Sequence, residues 1–150
     1  MIPQIFLNEP RLPLIARSFA RLTGGALAAD TGDVAQALWD APLAIVAHGT
    51  QTDPLFFFGN RQALALFEMT PQAFITLPSR LSAEPELRSE RAALMARVTQ
   101  DGFINDYSGV RISATGRRFR IQQATVWNLD DAAGTRHGQA AAFSDWTFLD

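Results

Sequence analysis

The chain has 150 residues, 47% of them hydrophobic, which suits a single globular domain with a buried core. Its net charge of −2 gives no reason to expect nucleic acid as a partner, and no stretch reaches the roughly 18 apolar residues of a membrane span. Because cysteine is absent, disulfides, thiolate metal sites and covalent flavin–thiol chemistry are excluded, and we expect a cytoplasmic protein.

An amphipathic helix is predicted between Pro10 and Gly24. Apolar residues recur there at spacings of three and four, and Gly24 and Gly25 supply a C-terminal cap. Two interpretations are open: the helix packs on the chain's own sheet, or it pairs with a second copy in a homodimer. The stripe is too short for an independent coiled coil, so we expect packing on the sheet with dimer contacts added. The candidate interface residues are Leu12, Ile15, Phe19 and Leu22.

A short helix and a β-hairpin follow. Asp33 and Gln36 resemble a capping box, which opens a helix from Val34 to Asp40. The apolar run from Leu43 to His48 is typical of a buried strand, and the aromatic run from Leu55 to Gly59 predicts a second one. The loop between them is tight, so we expect these strands to pair as a hairpin.

Three helical segments are predicted after the hairpin. Asn60 is a suitable N-cap for a helix from Arg61 to Glu68, and Thr70 is suitable for a shorter one. A longer helix is predicted from Glu86 to Asp101, with Gly102 as its C-terminal cap. The side chains expected to point inward from this helix are Leu87, Leu94, Met95 and Val98.

The last third of the chain has the pattern of an antiparallel meander. Three strand-like runs, Ile104 to Ser113, Arg117 to Leu129 and His137 to Trp146, are separated by turns that contain glycine. Together with the hairpin they predict a five-stranded antiparallel sheet. The predicted class is therefore α+β, with short helices on one face of the sheet and an N-terminal amphipathic helix.

The middle strand of the meander alternates with the period of two that is typical of a sheet packed on one side. One face is expected to point into the core or towards a pocket, and it carries Phe119, Ile121, Gln123, Thr125 and Trp127. The other face carries Arg118, Arg120, Gln122 and Asn128. We expect the N-terminal helix to lie on a surface of small residues made by Ala124, Val126, Ala140 and Ala142.

The order of these elements is that of the PAS fold, and several segments make the likeness more specific. The segments HGTQTDPLFFFGNRQALALFEMT, LPSRLSAEP, DYSGVRISATGRRFRI, ATVWNL and GQAAAFSDW resemble the MEKHLA domain. That PAS-like family occurs as small bacterial proteins and in plant class III homeodomain leucine-zipper transcription factors. The resemblance implies a PAS-like MEKHLA domain over residues 34–150, preceded by a helical extension over residues 1–33. It also implies a sensory or interaction module, and it supplies no catalytic residues.

A PAS-like fold places its pocket between the inner face of the sheet and the short helices. An apolar cleft with a few polar groups is the usual small-molecule site. The predicted ligand-binding residues are Phe57, Tyr107, Phe119, Ile121, Gln123, Thr125 and Trp127. The alternative is that these side chains simply fill the core. Haem is disfavoured because the long helix contains no histidine, and His48 and His137 lack the spacing of a metal site.

Catalysis is not expected from this sequence. It has no nucleophile elbow, phosphate-binding loop or paired carboxylates, and only Glu68 or Glu84 could act as a general base, if buried. The leading hypothesis is a module that binds a small molecule in its core, a protein partner through its sheet and N-terminal helix, or both. Two alternatives stay open: a small α+β enzyme with a cone-shaped pocket, and an interaction domain without a ligand.

Overall fold

The computed structural model describes residues 1–83 and 88–149. The helices are α1 (Gln4–Leu7), α2 (Leu12–Thr23), α3 (Val34–Asp40), α4 (Arg61–Phe67), α5 (Pro71–Phe74) and α6 (Arg88–Asp101), with a 3₁₀ turn at Ser79–Ser82. The strands are β1 (Ala44–His48), β2 (Phe56–Gly59), β3 (Phe103–Ile112), β4 (Arg118–Asp130), β5 (Arg136–Phe143) and β6 (Asp145–Phe148).

All six strands belong to one antiparallel sheet with the order β2-β1-β5-β4-β3, in which β6 also pairs with β4. The predicted α+β class and the predicted hairpin are confirmed. The last predicted strand is two strands, β5 and β6. Strand pairing is interrupted at Ser144, and β6 then pairs with β4 in the same register as β5. Thr125 pairs with Ala142 before the break, and Gln122 pairs with Asp145 after it.

Strand β4 changes the face that its side chains occupy at Gln123. This residue is exposed and has a φ of 53°, in the left-handed region that residues other than glycine rarely adopt. The pairing of β3 with β4 shifts at this point, so Gln123 forms a β-bulge opposite the break between β5 and β6. The inner face of the sheet carries Phe119 and Ile121 before the bulge, and Ala124, Val126 and Asn128 after it.

The predicted faces of β4 are therefore wrong beyond the bulge. Gln123 points to solvent, and Trp127 lies on the outer face, where it packs on α2. Val126, predicted to lie beneath the N-terminal helix, instead packs against Leu94 and Val98 of α6 on the inner face. The same inversion places Thr125 on the outer face and Ala124 and Asn128 on the inner face.

Helix α2 covers the outer face through the predicted stripe. Leu12 and Ile15 are fully buried, and the Ile15 carbonyl oxygen accepts a hydrogen bond of 3.3 Å from the Trp127 indole Nε1. The Phe19 ring meets the Trp127 ring edge to face at 5.0 Å between centroids. The expected packing of this helix on the chain's own sheet is thus confirmed. Ala140 and Ala142 pair with outer-face residues of β4, as the prediction required.

Helix α1 is not predicted by the sequence analysis, because four residues are too few to show helical periodicity. Its Phe6 side chain is fully buried and meets the Phe58 ring edge to face at 5.1 Å. The Trp39 ring lies at 6.2 Å on another side of Phe6. The first residues of the chain therefore cover the β2 end of the outer face, beside α2.

The predicted caps define most helix boundaries correctly. The Asp33 side chain accepts from the Gln36 backbone N–H at 3.2 Å, but the Gln36 side chain does not return to Asp33 and bonds instead to Ile2 and Asp40. Gly24 takes a left-handed φ of 77° and ends α2. Helix α6 is described from Arg88, so the predicted start at Glu86 and the inward position of Leu87 lie outside the described residues.

Asn60 joins three elements at the start of α4. Its side-chain oxygen accepts from the backbone N–H groups of Ile45 and Ala63 at 3.0 and 3.1 Å. Its side-chain nitrogen donates to the carbonyl oxygens of Leu38 and Leu43 at 3.1 and 2.8 Å. This fully buried amide therefore caps α4 and also connects the end of α3 to β1.

Replacing Asn60 by alanine should lower the free energy of unfolding by roughly 3 kcal/mol or more, because buried N–H and C=O groups lose their partners. The matched control is Thr70→Ala, which removes an exposed N-cap whose hydroxyl accepts only from Ala73. That change should cost about 1 kcal/mol. Urea denaturation of both variants measures the difference, and equal losses would contradict the role assigned to Asn60.

Replacing Gln123 by glycine should raise the free energy of unfolding by about 0.5–1 kcal/mol, because glycine adopts positive φ without the Cβ clash. Gln122→Gly is the control, since Gln122 is equally exposed on the same strand but does not have positive φ. It should lower stability by about the same amount. If urea denaturation shows that both glycines destabilise the protein, the bulge does not carry the strain inferred here.

Candidate functional site

A cavity of about 50 Å³ lies between the inner face of the sheet and the helices that cover it. The strands contribute Val46, Ile121 and Val126, α4 contributes Phe67, and α6 contributes Leu94 and Met95. The cavity is enough for a few water molecules or for a ligand of a few non-hydrogen atoms. Its walls are mostly apolar, with polar groups at separate points.

A row of polar side chains crosses three neighbouring strands, and two of its members, His48 and Gln139, line the cavity. His48 on β1 pairs in register with Gln139 on β5, which pairs with Asn128 on β4. Gln139 Nε2 donates to Asn128 Oδ1 at 3.2 Å, and Asn128 Nδ2 donates to the Val98 carbonyl oxygen at 3.0 Å. The His48 ring contacts the Gly49 carbonyl oxygen through Nδ1 at 3.0 Å. These amides are satisfied by the protein itself.

The other polar group of the lining consists of Arg111 and Tyr107 on β3. The Arg111 guanidinium carbon lies 5.4 Å from the centroid of the Tyr107 ring, within the range of a cation–π contact. Burial holds the pKa of Arg111 below its usual value, although the Tyr107 hydroxyl acts in the opposite direction. Within residues 1–83 and 88–149, no carboxylate forms an ion pair with this guanidinium.

Gly109 allows the Tyr107 side chain to lie along β3, over position 109 and towards Arg111. A Cβ atom at position 109 would stand 2.3 Å from the Tyr107 hydroxyl oxygen, so the tyrosine side chain would have to move. Because Tyr107, Gly109 and Arg111 pair with Ala124, Ile121 and Phe119 of β4, all three face inward. The missing side chain at position 109 thus gives the tyrosine ring its place beside Arg111.

The cavity contains only some of the side chains predicted for the ligand site. Tyr107 and Ile121 line it, whereas Phe119 is buried on the same face, between the rings of Phe67 and Phe148. Phe57 lies under the Arg11 guanidinium, 3.9 Å from its carbon. Gln123, Thr125 and Trp127 are outside the cavity because of the bulge.

Arg111, Val126 and Gln139 also line the cavity, although none of them is among the predicted ligand-binding residues. Arg111 carried a usable signal, since it lies four residues after Tyr107 and shares its strand face by simple alternation. No comparable signal existed for Val126, whose orientation depends on the bulge at Gln123.

The remaining candidates for chemistry lie away from the cavity. Glu68 is exposed and accepts hydrogen bonds from the hydroxyls of Ser113 and Thr115, which lower its pKa, so the burial required of a general base is not met. His137 Nε2 lies 2.8 Å from Asp131 Oδ2 in the β4–β5 turn, and this contact lowers the pKa of Asp131. Glu84 lies outside the described residues.

Residues 1–83 and 88–149 contain neither a metal-binding cluster nor a membrane-spanning helix. No group of three or more histidine, aspartate or glutamate side chains is placed to hold a metal ion. None of the helices in this part of the chain is long and apolar enough to cross a membrane.

Solved structures with the same arrangement of strands and helices are PAS domains. The PAS domain of a protein from Colwellia psychrerythraea aligns with a TM-score of 0.64 at 15% identity, over 74% of this chain and 92% of that one. A light-oxygen-voltage domain studied with a flavin analogue aligns with a TM-score of 0.61 at 15% identity, over 81% and 87% of the two chains. At such identities the likeness shows the fold alone.

Sequence comparison gives the family. Homeobox-leucine zipper protein ATHB-9 of Arabidopsis thaliana is 30% identical over 143 residues, which are 90% of this chain and 17% of that protein. REVOLUTA, from the same plant, is 28% identical over 77% of this chain and 14% of its own length. The chain thus spans about a sixth of the relatives it matches. The MEKHLA domain family matches residues 11–148, a range that includes α2. This chain, with its PAS fold, therefore belongs to the MEKHLA domain family.

Proposed function

We propose that this MEKHLA domain is a sensory module that binds a small molecule in the cavity beneath its sheet and transmits occupancy to helix α2. The observation that carries the proposal is the position of two neighbouring residues of β4. Val126 lines the cavity, and Trp127 packs on α2 at the opposite face. A ligand that displaces β4 by a fraction of an ångström therefore acts on both faces at once.

The output in this proposal is a change in how α2 sits on the sheet. A ligand shifts such an equilibrium only if it binds one arrangement more tightly than the other. Leu12 and Ile15 are buried against the chain's own sheet, so a homodimer that uses the stripe requires α2 to leave the outer face. Ligand-controlled release of α2 would then expose an apolar surface to a second copy or to a protein partner.

Binding is a better account of the cavity than catalysis. Its described polar lining consists of Arg111, Tyr107, Ser82 and the row of His48 and Gln139, without a carboxylate to act as acid or base. The Ser82 hydroxyl donates to the Ser79 carbonyl oxygen at 2.7 Å and is committed to the 3₁₀ turn. The small volume of the cavity also fits a second candidate function, an interaction domain that carries no ligand.

Replacing Ala141 by leucine should abolish ligand binding, because Ala141 lines the cavity and the added carbon atoms would occupy it. Ala96→Leu, on the exposed side of α6, adds the same volume outside the cavity. Native mass spectrometry of each protein, purified from the cells that make it, measures a bound mass that denaturation removes. We expect this mass in the wild type and in Ala96→Leu, and its loss in Ala141→Leu.

Hydrogen exchange of α2 provides the second measurement. The Ala141→Leu variant should change the exchange of α2 amides relative to the ligand-bound wild type, whereas Ala96→Leu should leave it unchanged. A wild-type protein without bound mass, together with unchanged α2 exchange in Ala141→Leu, would favour the ligand-free interaction domain and overturn the proposal.

A further inference from the structure

Among the described residues that line the cavity, Arg111 contributes a guanidinium cation to walls that are mostly apolar. It presents five N–H donors and no acceptor. No described residue forms a hydrogen bond or an ion pair with it. Arg111 is partly buried and its guanidinium nitrogens keep some contact with solvent, so its charge loses part of its hydration without gaining an ion-pair partner among the described residues. The contact with the Tyr107 ring offsets only part of that loss.

From this geometry we infer that the cavity binds a short-chain aliphatic monocarboxylate, with its carboxylate on Arg111 and its hydrocarbon tail against the apolar walls. The inference rests on the proposed function and names the class of its ligand. A carboxylate matches the planar fork of a guanidinium with two parallel hydrogen bonds, which are stronger than bonds between neutral groups.

The walls favour a carboxylate over a phosphate. Beyond the guanidinium, the cavity continues along Ile121, Val126 and Leu94, whose side chains offer no hydrogen-bond donor. Both carboxylate oxygens can face Arg111, whereas the additional oxygens of a phosphate would be buried against hydrocarbon at a cost. The hydrocarbon tail of an aliphatic acid gains free energy from the same surfaces.

The volume limits the length of the tail. A cavity of about 50 Å³ admits a ligand of a few non-hydrogen atoms, which is the size of propionate or butyrate. The binding pockets of drug-sized molecules are about 300–1,000 Å³, so a large aromatic cofactor does not fit the described conformation. Size, charge and wall polarity together point to the same class of molecule.

Tyr107 is a positioning residue in this site. Its ring holds the Arg111 guanidinium on one side, and it occupies that place because position 109 has no Cβ. The Gly109 backbone does not have positive φ, so alanine is compatible with the strand and the collision concerns only the tyrosine side chain. Gly109→Ala therefore moves the ring without removing the charge.

The test compares butyrate with butyramide, a neutral molecule of nearly the same shape, by isothermal titration calorimetry. Butyrate should bind the wild type and butyramide should bind at least about tenfold more weakly, since it cannot form the charge-assisted pair. Arg111→Gln should lose about tenfold or more in butyrate affinity, with no loss for butyramide. Arg120→Gln is the control, because Arg120 is exposed on the same sheet.

Arg111 is only partly buried and has no ion-pair partner among the described residues, so Arg111→Gln should melt near the wild-type temperature. Gly109→Ala should weaken butyrate binding by about three- to tenfold through the displaced ring, while the exposed neighbour Ser108→Ala should leave it unchanged. Equal binding of butyrate and butyramide, or unchanged butyrate binding in Arg111→Gln, would overturn the inference. Tighter binding of inorganic phosphate than of butyrate would also overturn it.

Failure of this inference is distinguishable from failure of the proposed function. If Arg111→Gln still retains the mass that copurifies with the wild type, and Ala141→Leu loses it, the cavity binds a ligand that is not held through its charge. If Ala141→Leu retains the mass, the ligand is not in the cavity at all, and the proposed function fails as well.

Discussion

The left-handed backbone at Gln123 determines which residues of β4 meet the cavity and which meet the N-terminal helix. A regular strand would keep Phe119, Ile121 and Trp127 on one face. The bulge inverts the alternation, so that Trp127 leaves the inner face and Val126 enters it. One strand can thus place large aromatic rings where each layer has room for them. The strain of a single residue, of order 1 kcal/mol, is small beside the burial of a tryptophan.

The consequence is a sheet that is covered on both faces by different parts of the chain. The inner face receives α4 and α6, and the outer face receives α1 and α2. Trp127 connects β4 to the outer layer. Its indole N–H donates to the Ile15 carbonyl oxygen, and its ring packs on Phe19. Helix α2 is therefore packed as part of the domain. Any movement of α2 has to break its contacts with Trp127.

Local signals in the sequence predicted the elements well, and they failed where the outcome depended on one backbone conformation. Asp33, Asn60, Thr70 and Gly24 act on their own helices through contacts within a few residues, so their roles are readable from the sequence. Glutamine at a bulge gives no comparable sign, because glycine is the residue that usually marks positive φ. The bulge at Gln123 removes three of the seven predicted ligand-site residues, Gln123, Thr125 and Trp127, from the cavity.

The fold alone cannot explain the charge in the cavity. PAS domains with 13–16% identity to this chain share its architecture, so what distinguishes the domain lies in the side chains that line its interior. Arg111 lines the cavity and is partly buried, so its charge is only partly hydrated there. Gln139 Nε2 donates to Asn128 Oδ1, and Asn128 Nδ2 donates to the Val98 carbonyl oxygen. The Arg111 guanidinium has no carboxylate partner among the described residues, and a bound anion would supply that interaction.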